Sequence, residues 1–123
     1  MTNQKMLSVI PLLLLAAVVT AAVPEPLDPI NVAPHIHKLK FENDRIRVIE
    51  QILRRGETQP LHTHPDRLLV FLQTCAWMEN DSDGSKRMQE FKYGEVVWAA
   101  AETHGGSNPE VVQQCRILEI EMR

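Results

Sequence analysis

The sequence predicts an all-β fold. Short stretches rich in apolar and β-branched residues are separated by turn signals at intervals of about 8 to 12 residues, which is typical of sandwiches and barrels. After residue 22, no stretch keeps a helical period of apolar residues over three turns. The 123 residues suit one domain and leave no room for two well-filled cores.

Residues 1–22 have the features of a secretory signal peptide. A short polar start with the single charge of Lys5 precedes an uncharged apolar run at residues 6–22, which ends in Thr20-Ala21-Ala22. The alternative is an uncleaved N-terminal membrane anchor, because about 17 apolar residues are the lower limit for crossing a bilayer. The small residues before the end favour cleavage, so we expect a secreted or periplasmic protein.

Residues 23–40 are predicted to be an extended leader without helix, because four prolines fall within residues 23–34. The β-barrel domain is expected to span residues 41–123. Its first strong strand is predicted at residues 46–53, after the turn-forming sequence Glu-Asn-Asp and before Gly56.

The remaining strands follow from period and turn chemistry. A strand carrying two histidines ends at Pro65-Asp66, and a near-continuous apolar strand is predicted from Leu68 to about Met78. Asp83-Gly84 predicts a hairpin, and Gly94 predicts a turn between two further strands. Residues 103–110 are predicted to be a loop. In the closing strand, Leu118, Ile120 and Met122 alternate with Glu119 and Glu121.

Charge and cysteine content limit the function. The chain has 13 Lys and Arg against 16 Asp and Glu, a net charge of −3, and no basic block, which argues against nucleic-acid binding. Cys75 and Cys115 could form a disulfide in an exported chain, but two free, semi-buried thiols are an equal alternative.

Three histidines form a candidate metal site. Residues two apart on a strand share a face, so His62 and His64 direct two imidazoles to the same point. Two imidazoles alone bind a metal weakly, and a third donor is expected from His104. The glycines that follow it, Gly105 and Gly106, permit a close approach of the backbone to a site. Three histidines leave coordination positions open, as in catalytic metal sites.

These residues resemble the two motifs of the cupin superfamily. Gly56, five intervening residues and His62-Thr63-His64 are similar to the start of the first motif, and residues 94–108 are similar to the second, with His104 and Asn108 at its end. The resemblance covers residues from about 40 to 123. It implies a jelly-roll barrel of six to eight strands with a metal near its mouth.

The sequence departs from the first motif at its glutamate, where Leu68 and Leu69 stand. The resemblance is therefore to three-histidine cupins, and it implies one divalent transition metal held by His62, His64 and His104. Iron, manganese, copper, nickel and zinc are all compatible with histidine ligands.

For the other polar residues near these motifs, a functional role is weighed against a simple exposed position. Glu102, two residues before His104, is a candidate catalytic base or extra ligand, with a solvated loop position as the alternative. His35 and His37 are predicted to be exposed or on an edge strand. Asp66 and Arg67 are predicted to be exposed corner residues, with a rim ion pair or a substrate contact as alternatives.

Apolar residues are assigned to the interior. Trp77 and Trp98 are predicted to fill the core. If Pro65 does not shift the register, Leu68, Val70 and Leu72 share the face of His62 and His64 and give the metal an apolar pocket.

Two functions follow from this interpretation. The first is a metal-dependent oxygenase or isomerase acting on a small molecule, which the open coordination favours. The second is a non-catalytic module that binds a small ligand or a metal, which the lack of a clear acid-base residue besides Glu102 favours. A structural barrel without metal is a third option, and homodimerisation is left open.

Overall fold

The computed structural model describes residues 27–107 and 114–123. Within these ranges it contains one short helix and nine strands, in agreement with the predicted all-β class. The helix is α1 (Pro29–Val32). The strands are β1 (His37–Glu42), β2 (Ile46–Arg54), β3 (Thr58–His64), β4 (Arg67–Phe71), β5 (Cys75–Asp81), β6 (Lys86–Phe91), β7 (Val96–Ala99), β8 (Glu102–Ser107) and β9 (Gln114–Met122).

The strands form two antiparallel sheets. One sheet has five strands in the order β1-β2-β9-β4-β7, and the other has four strands in the order β3-β8-β5-β6. Consecutive strands therefore alternate between sheets at several points, as in a jelly roll. The histidine strand β3 and the closing strand β9 lie in different sheets, so side chains from both can meet in the interior.

Much of the segment that the sequence assigns to an extended leader belongs to the folded domain. The expectation of no helix there was wrong, because Pro29–Val32 forms α1. Asp28 caps this helix by accepting a hydrogen bond from the Ile30 amide, and proline is tolerated at the first helical position. Ala33 and Ile36 are fully buried, and β1 begins at His37.

Turn predictions are confirmed where local chemistry dictates the backbone. Asn43 accepts hydrogen bonds from the Arg45 and Ile46 amides ahead of β2. Gly56 lies in the turn after β2, Gly84 in the turn between β5 and β6, and Gly94 in the turn between β6 and β7. All three have positive φ values, which other residues adopt at a cost.

Two predictions at residues 66–110 were wrong. The apolar run from Leu68 is split into β4 and β5, which lie in different sheets, because the chain bends at residues 72–74. The segment around His104 is a strand, β8, and not a loop through Ser107. Its glycines are buried between neighbouring strands, where hydrogen bonds on both sides replace the turn that glycine usually signals.

The closing strand keeps the predicted alternation but buries the charged residues. Glu119 and Glu121 are each 1% exposed, whereas Leu118, Ile120 and Met122 are only partly buried. The interior face of β9 therefore contributes Cys115 and Ile117 at one end and two carboxylates at the other. Polar partners inside the barrel account for this arrangement.

The apolar core lies between the sheets beside these carboxylates. Phe71, Trp77 and Phe91 stack on one another, with the Phe71 and Phe91 ring centres 4.3 Å apart. The core prediction for Trp77 is confirmed, but Trp98 is 55% exposed on the edge strand β7. The core residues are Ala33, Ile36, Leu53, Leu69, Phe71, Cys75, Trp77, Cys115 and Ile117.

A disulfide joins Cys75 to Cys115, with a Cα–Cα distance of 4.8 Å. It links β5 to β9 and therefore one sheet to the other. The sequence left the state of these cysteines open. The predicted signal peptide, residues 1–22, lies outside the described residues. In the part of the chain that the structure describes, no helix is long and apolar enough to cross a membrane.

Candidate metal centre

The structure brings the three predicted histidines to one face of the four-stranded sheet. β3 pairs with β8 so that His62 lies directly opposite His104, as expected for neighbouring strands. The ring centres of His62 and His64 are 4.8 Å apart, and that of His104 is 4.7 Å from His62 and 5.4 Å from His64. Thr63 and Thr103 face away and bond to each other at 2.8 Å.

A fourth histidine, His37, completes the cluster from the other sheet. His37 does begin an edge strand, β1, as one of the two alternatives expected, but it is not exposed: it is 1% exposed, and its ring centre lies 5.0 Å from that of His62. Ligand nitrogens of His37, His62 and His64 all lie within 4.8 Å of one another. His35, by contrast, is exposed as predicted.

Hydrogen bonds fix the orientation of two imidazoles. The Nδ1 atom of His62 donates to the carbonyl oxygen of Pro60 at 2.8 Å, and that of His64 donates to Oε1 of Glu121 at 2.7 Å. In each ring Nε2 then carries the lone pair. Both Nε2 atoms are buried and have no hydrogen-bond partner among the described residues.

Burial keeps these histidines neutral, the form that binds metals. Burial and the neighbouring His62 lower the pKa of His37 to about 3, and burial and His104 lower the pKa of His62 to about 4. The pKa of His64 is lowered well below its ordinary value by burial and by Arg67. At neutral pH all three rings therefore have an available nitrogen lone pair.

Glu121 is itself held in place by an ion-pair chain. Arg47 contacts Glu121 through Nη2 at 2.7 Å and also pairs with Asp28 at the start of α1. Burial raises the pKa of Glu121 to about 7, although Arg47 opposes the rise. The chain from Asp28 to His64 couples the helix cap to the orientation of one imidazole.

His104 has carboxylate neighbours of its own. Its Nδ1 lies 3.3 Å from Glu79 and 3.8 Å from Glu102. Burial alone would raise the pKa of Glu79, but the hydrogen bonds from His104 and Arg87 outweigh it and bring the value to about 2. Glu79, Glu102 and His104 form a second group of potential metal ligands. Glu102 is partly exposed at this group, and its Oε1 accepts from Arg67 at 2.7 Å.

Arg67 and Glu119 form a buried ion pair. The expectation of an exposed Arg67 was wrong, because the residue is 2% exposed and its Nε donates to Oε2 of Glu119 at 3.0 Å. Burial raises the pKa of Glu119 above its ordinary value, although Arg67 opposes the rise. The other oxygen of Glu119 lies 3.7 Å from Nε2 of His37, and Oε2 lies 3.3 Å from Nε2 of His64.

A cavity of about 350 Å³ adjoins the cluster. Its polar side includes His104, Glu102, Glu79, Arg67 and Glu119, and its apolar side is formed by core residues such as Trp77 and Phe91. The predicted apolar lining by Leu68, Val70 and Leu72 was wrong. Pro65-Asp66 interrupts the strand pairing, so Arg67, Leu69 and Phe71 are buried while Leu68 and Val70 are only partly buried.

Sequence reasoning missed His37, Glu79, Arg67, Glu119 and Glu121. The alternation of glutamates with apolar residues in β9 was visible, but such a pattern ordinarily places the charged residues in solvent. The second His-x-His pair was also visible, and only the folding of α1 and β1 places His37 inside. Asn108, which matches the end of the second motif, lies outside the described residues.

The donors present suit a divalent transition metal. Buried, neutral imidazoles with unpartnered Nε2 atoms are unusual unless a ligand completes them, since buried polar atoms are nearly always hydrogen-bonded. Histidine nitrogens with a carboxylate or carbonyl on the opposite ring nitrogen are the ordinary arrangement of metal-bound imidazole. His37, His62 and His64 could therefore hold a metal ion.

Comparison with known proteins supports the fold. No family model matches the chain, and no curated protein matches it. A cupin domain from Bordetella pertussis superposes with a TM-score of 0.65 at 21% identity, covering 72% of this chain and 92% of that one. A double-stranded β-helix protein from Klebsiella pneumoniae gives 0.55 at 16% identity, over 71% and 75% of the two chains.

A third solved structure with the same fold is an enzyme. The polyketide cyclase RemF from Streptomyces resistomycificus gives a TM-score of 0.53 at 22% identity, over 70% of this chain and 63% of that chain. Likeness at this level of identity concerns the backbone alone. With its two antiparallel sheets and interior histidines, the chain has the cupin fold, the double-stranded β-helix.

Proposed function

We propose that the protein binds one divalent transition metal through His62, His64 and His37, beside a cavity for a small molecule. The observation that carries the proposal is the pair of buried, unpartnered Nε2 atoms on His62 and His64, whose Nδ1 atoms are both engaged. His37 supplies a third nitrogen within reach. A bound metal supplies a Lewis acid that polarises a ligand oxygen or activates water.

His104, which the sequence favours as the third ligand, is assigned a place next to the metal. Its ring lies beside that of His62, but its Nδ1 faces Glu79. His104 also lines the cavity, whereas His37, His62 and His64 are not among the described residues that line it. If His37 is the third ligand, its removal abolishes metal binding; if His104 is the third ligand, removal of His104 does so.

Metal analysis of variants tests the site. Protein purified without an affinity tag should hold close to one equivalent of metal, and the apo protein should take up at least one of Fe²⁺, Mn²⁺, Cu²⁺, Ni²⁺ and Zn²⁺. His62→Ala and His37→Ala should lose the metal, and His104→Ala should keep it. His35→Ala is the matched control, because His35 is exposed. A wild-type protein that rejects all five metals would rule out the proposal, and loss in His104→Ala but not in His37→Ala would restore the sequence-based ligand set.

Metal-dependent oxygenase or isomerase activity is a second candidate, favoured by the cavity beside the cluster. Glu102 lines this cavity and is held by Arg67, so its carboxylate is placed to take or give a proton to a bound molecule. Oxygen uptake and product analysis with thiols, diketones and phenols would test this activity. Turnover that disappears in Glu102→Gln with metal retained supports a catalytic role; binding without turnover supports a non-catalytic module.

We also propose that the protein is exported. The buried disulfide between Cys75 and Cys115 supports this, because disulfides persist mainly in oxidising compartments. Fractionation of cells that express the full chain with a C-terminal tag would test it. Recovery in the cytosol with reduced cysteines would contradict it.

A further inference from the structure

We propose that Glu119 is a ligand of this metal and that it replaces, from a neighbouring strand, the glutamate missing at residues 68 and 69. The inference rests on the proposed metal site. It adds a carboxylate to a ligand set that otherwise consists of neutral imidazoles, and it assigns that carboxylate to β9, a strand outside both histidine motifs.

The register of the five-stranded sheet supports the exchange of position. β4 pairs with β9 so that Leu69 lies directly opposite Glu119. Side chains of directly opposed residues project from the same face and lie about 4.5 to 5.5 Å apart at Cβ. Leu69 is buried and lines the same cavity as Glu119. A carboxylate on either residue would therefore reach the same region of the interior.

The distances suit a shared metal ion. Two donors that bind one metal with bonds of about 2.0 to 2.2 Å lie about 2.8 to 3.6 Å from each other at octahedral or tetrahedral angles. Oε2 of Glu119 is 3.3 Å from Nε2 of His64, and Oε1 is 3.7 Å from Nε2 of His37. The contact of Glu119 with His64 falls within that range, and the contact with His37 is slightly longer.

A buried ion pair with Arg67 is the structural alternative, but it leaves part of the geometry unexplained. Arg67 bonds to Oε2 only, and Oε1 has no hydrogen-bond partner among the described residues. Nε2 of His64 carries a lone pair and faces a carboxylate oxygen that is also an acceptor. A cation bound between His64 and Glu119 would give both atoms a partner, would be within reach of Oε1 as well, and would offset the negative charge that burial makes costly.

Variants of Glu119 and its strand partner test the inference with Co²⁺ as the probe. Apo wild type, Glu119→Gln and the exchange variant Leu69→Glu/Glu119→Leu are titrated with Co²⁺, and affinity and visible absorption are recorded. Glu119→Gln keeps an oxygen for Arg67 but loses the anionic ligand. We expect its affinity to fall by more than about 100-fold, beyond the range for an outer-shell partner, with shifted absorption bands. The exchange variant should regain at least part of the affinity.

The matched control is Glu50→Gln, which alters a buried carboxylate of the same sheet that pairs with Arg116 and Lys40 away from the histidines. It should bind Co²⁺ like the wild type. Wild-type affinity and spectrum in Glu119→Gln, with binding lost in His62→Ala, would overturn the role of Glu119 and leave the metal site intact. Absence of Co²⁺ binding in the wild type would overturn both. If Glu119→Gln does not fold, the exchange variant decides: folded protein that binds no Co²⁺ overturns the inference.

Discussion

At the scale of single residues, the function proposed for the site depends on which nitrogen of each imidazole is free. Glu121 accepts from Nδ1 of His64 and so directs its Nε2 toward the interior, and the carbonyl of Pro60 does the same for His62. Arg47 in turn holds Glu121. Such outer partners raise the basicity of the ligand and fix its tautomer.

Glu121→Gln should weaken metal affinity without changing the set of ligands. Loss of the carboxylate partner of a ligating histidine typically lowers affinity about 10- to 100-fold. Titration with Co²⁺ should show this loss while the positions of the absorption bands stay close to those of the wild type. Glu42→Gln, which alters an exposed carboxylate paired with Arg123, is the control and should bind normally. Unchanged affinity in Glu121→Gln would show that His64 needs no such partner.

The common face of His62 and His64 is confirmed, and it could be predicted because it depends only on the two-residue period of a strand. Residue-scale prediction failed for the burial of His37, whose position depends on the short helix that precedes it and on the pairing of β1 with β2. It also failed for Arg67, because the two-residue interruption at Pro65-Asp66 reverses the parity of the next strand.

At the scale of elements, the two glycines that follow His104 in β8 let both neighbouring strands approach closely. A Cβ atom at Gly105 would lie 2.9 Å from the carbonyl oxygen of Gln59, and one at Gly106 would lie 3.0 Å from that of Met78. The first distance is below any ordinary contact. The sequence associated these glycines with close approach, but it assigned them to a loop.

Gly105→Ala should therefore destabilise the protein and displace His104 from His62. We expect a loss of about 1–3 kcal/mol in the free energy of unfolding, the usual cost of overpacking, measured by urea denaturation. Thr103→Ala in the same strand is the comparison. It removes only an outward hydrogen bond to Thr63, worth about 1 kcal/mol, and should leave the histidines in place. Equal stability of Gly105→Ala and wild type would show that β8 can move away without cost.

Elements bounded by glycine or asparagine turns could be predicted, since those turns are specified by a few adjacent residues. The face that each strand buries could not always be predicted. Glu119 and Glu121 can lie inside because they pair there with histidines and arginines from other strands. The local sequence pattern of β9 does not reveal these pairs.

At the scale of the whole molecule, the two sheets are joined by a covalent bond as well as by packing. The disulfide between Cys75 and Cys115 closes a separation of 40 residues and is buried beside the aromatic stack. It ties the strand that carries Glu79 to the strand that carries Glu119 and Glu121. The disulfide therefore limits how far the interior carboxylates of the two sheets can move apart.

Reduction of this disulfide should lower the free energy of unfolding by about 2–4 kcal/mol, since a cross-link of this kind restricts the unfolded chain. Urea denaturation of the wild type with and without a reductant would measure the loss. The double variant Cys75→Ala/Cys115→Ala is the control, because its unfolding should not respond to the reductant. A wild type whose stability is the same in both conditions would contradict the prediction.

The sequence by itself determined the all-β class, the turns and the two histidines of β3, because these depend on period and on residues adjacent in the chain. Only the tertiary structure decided the disulfide, the burial of His37 and Arg67, and the inward position of Glu119. Each of these depends on contacts between segments that lie far apart in the sequence, either in different sheets or in strands that are adjacent in one sheet but not consecutive along the chain. A glutamate on β9 faces the histidines of β3 because the two strands lie in opposite sheets, and that packing is a property of the folded molecule.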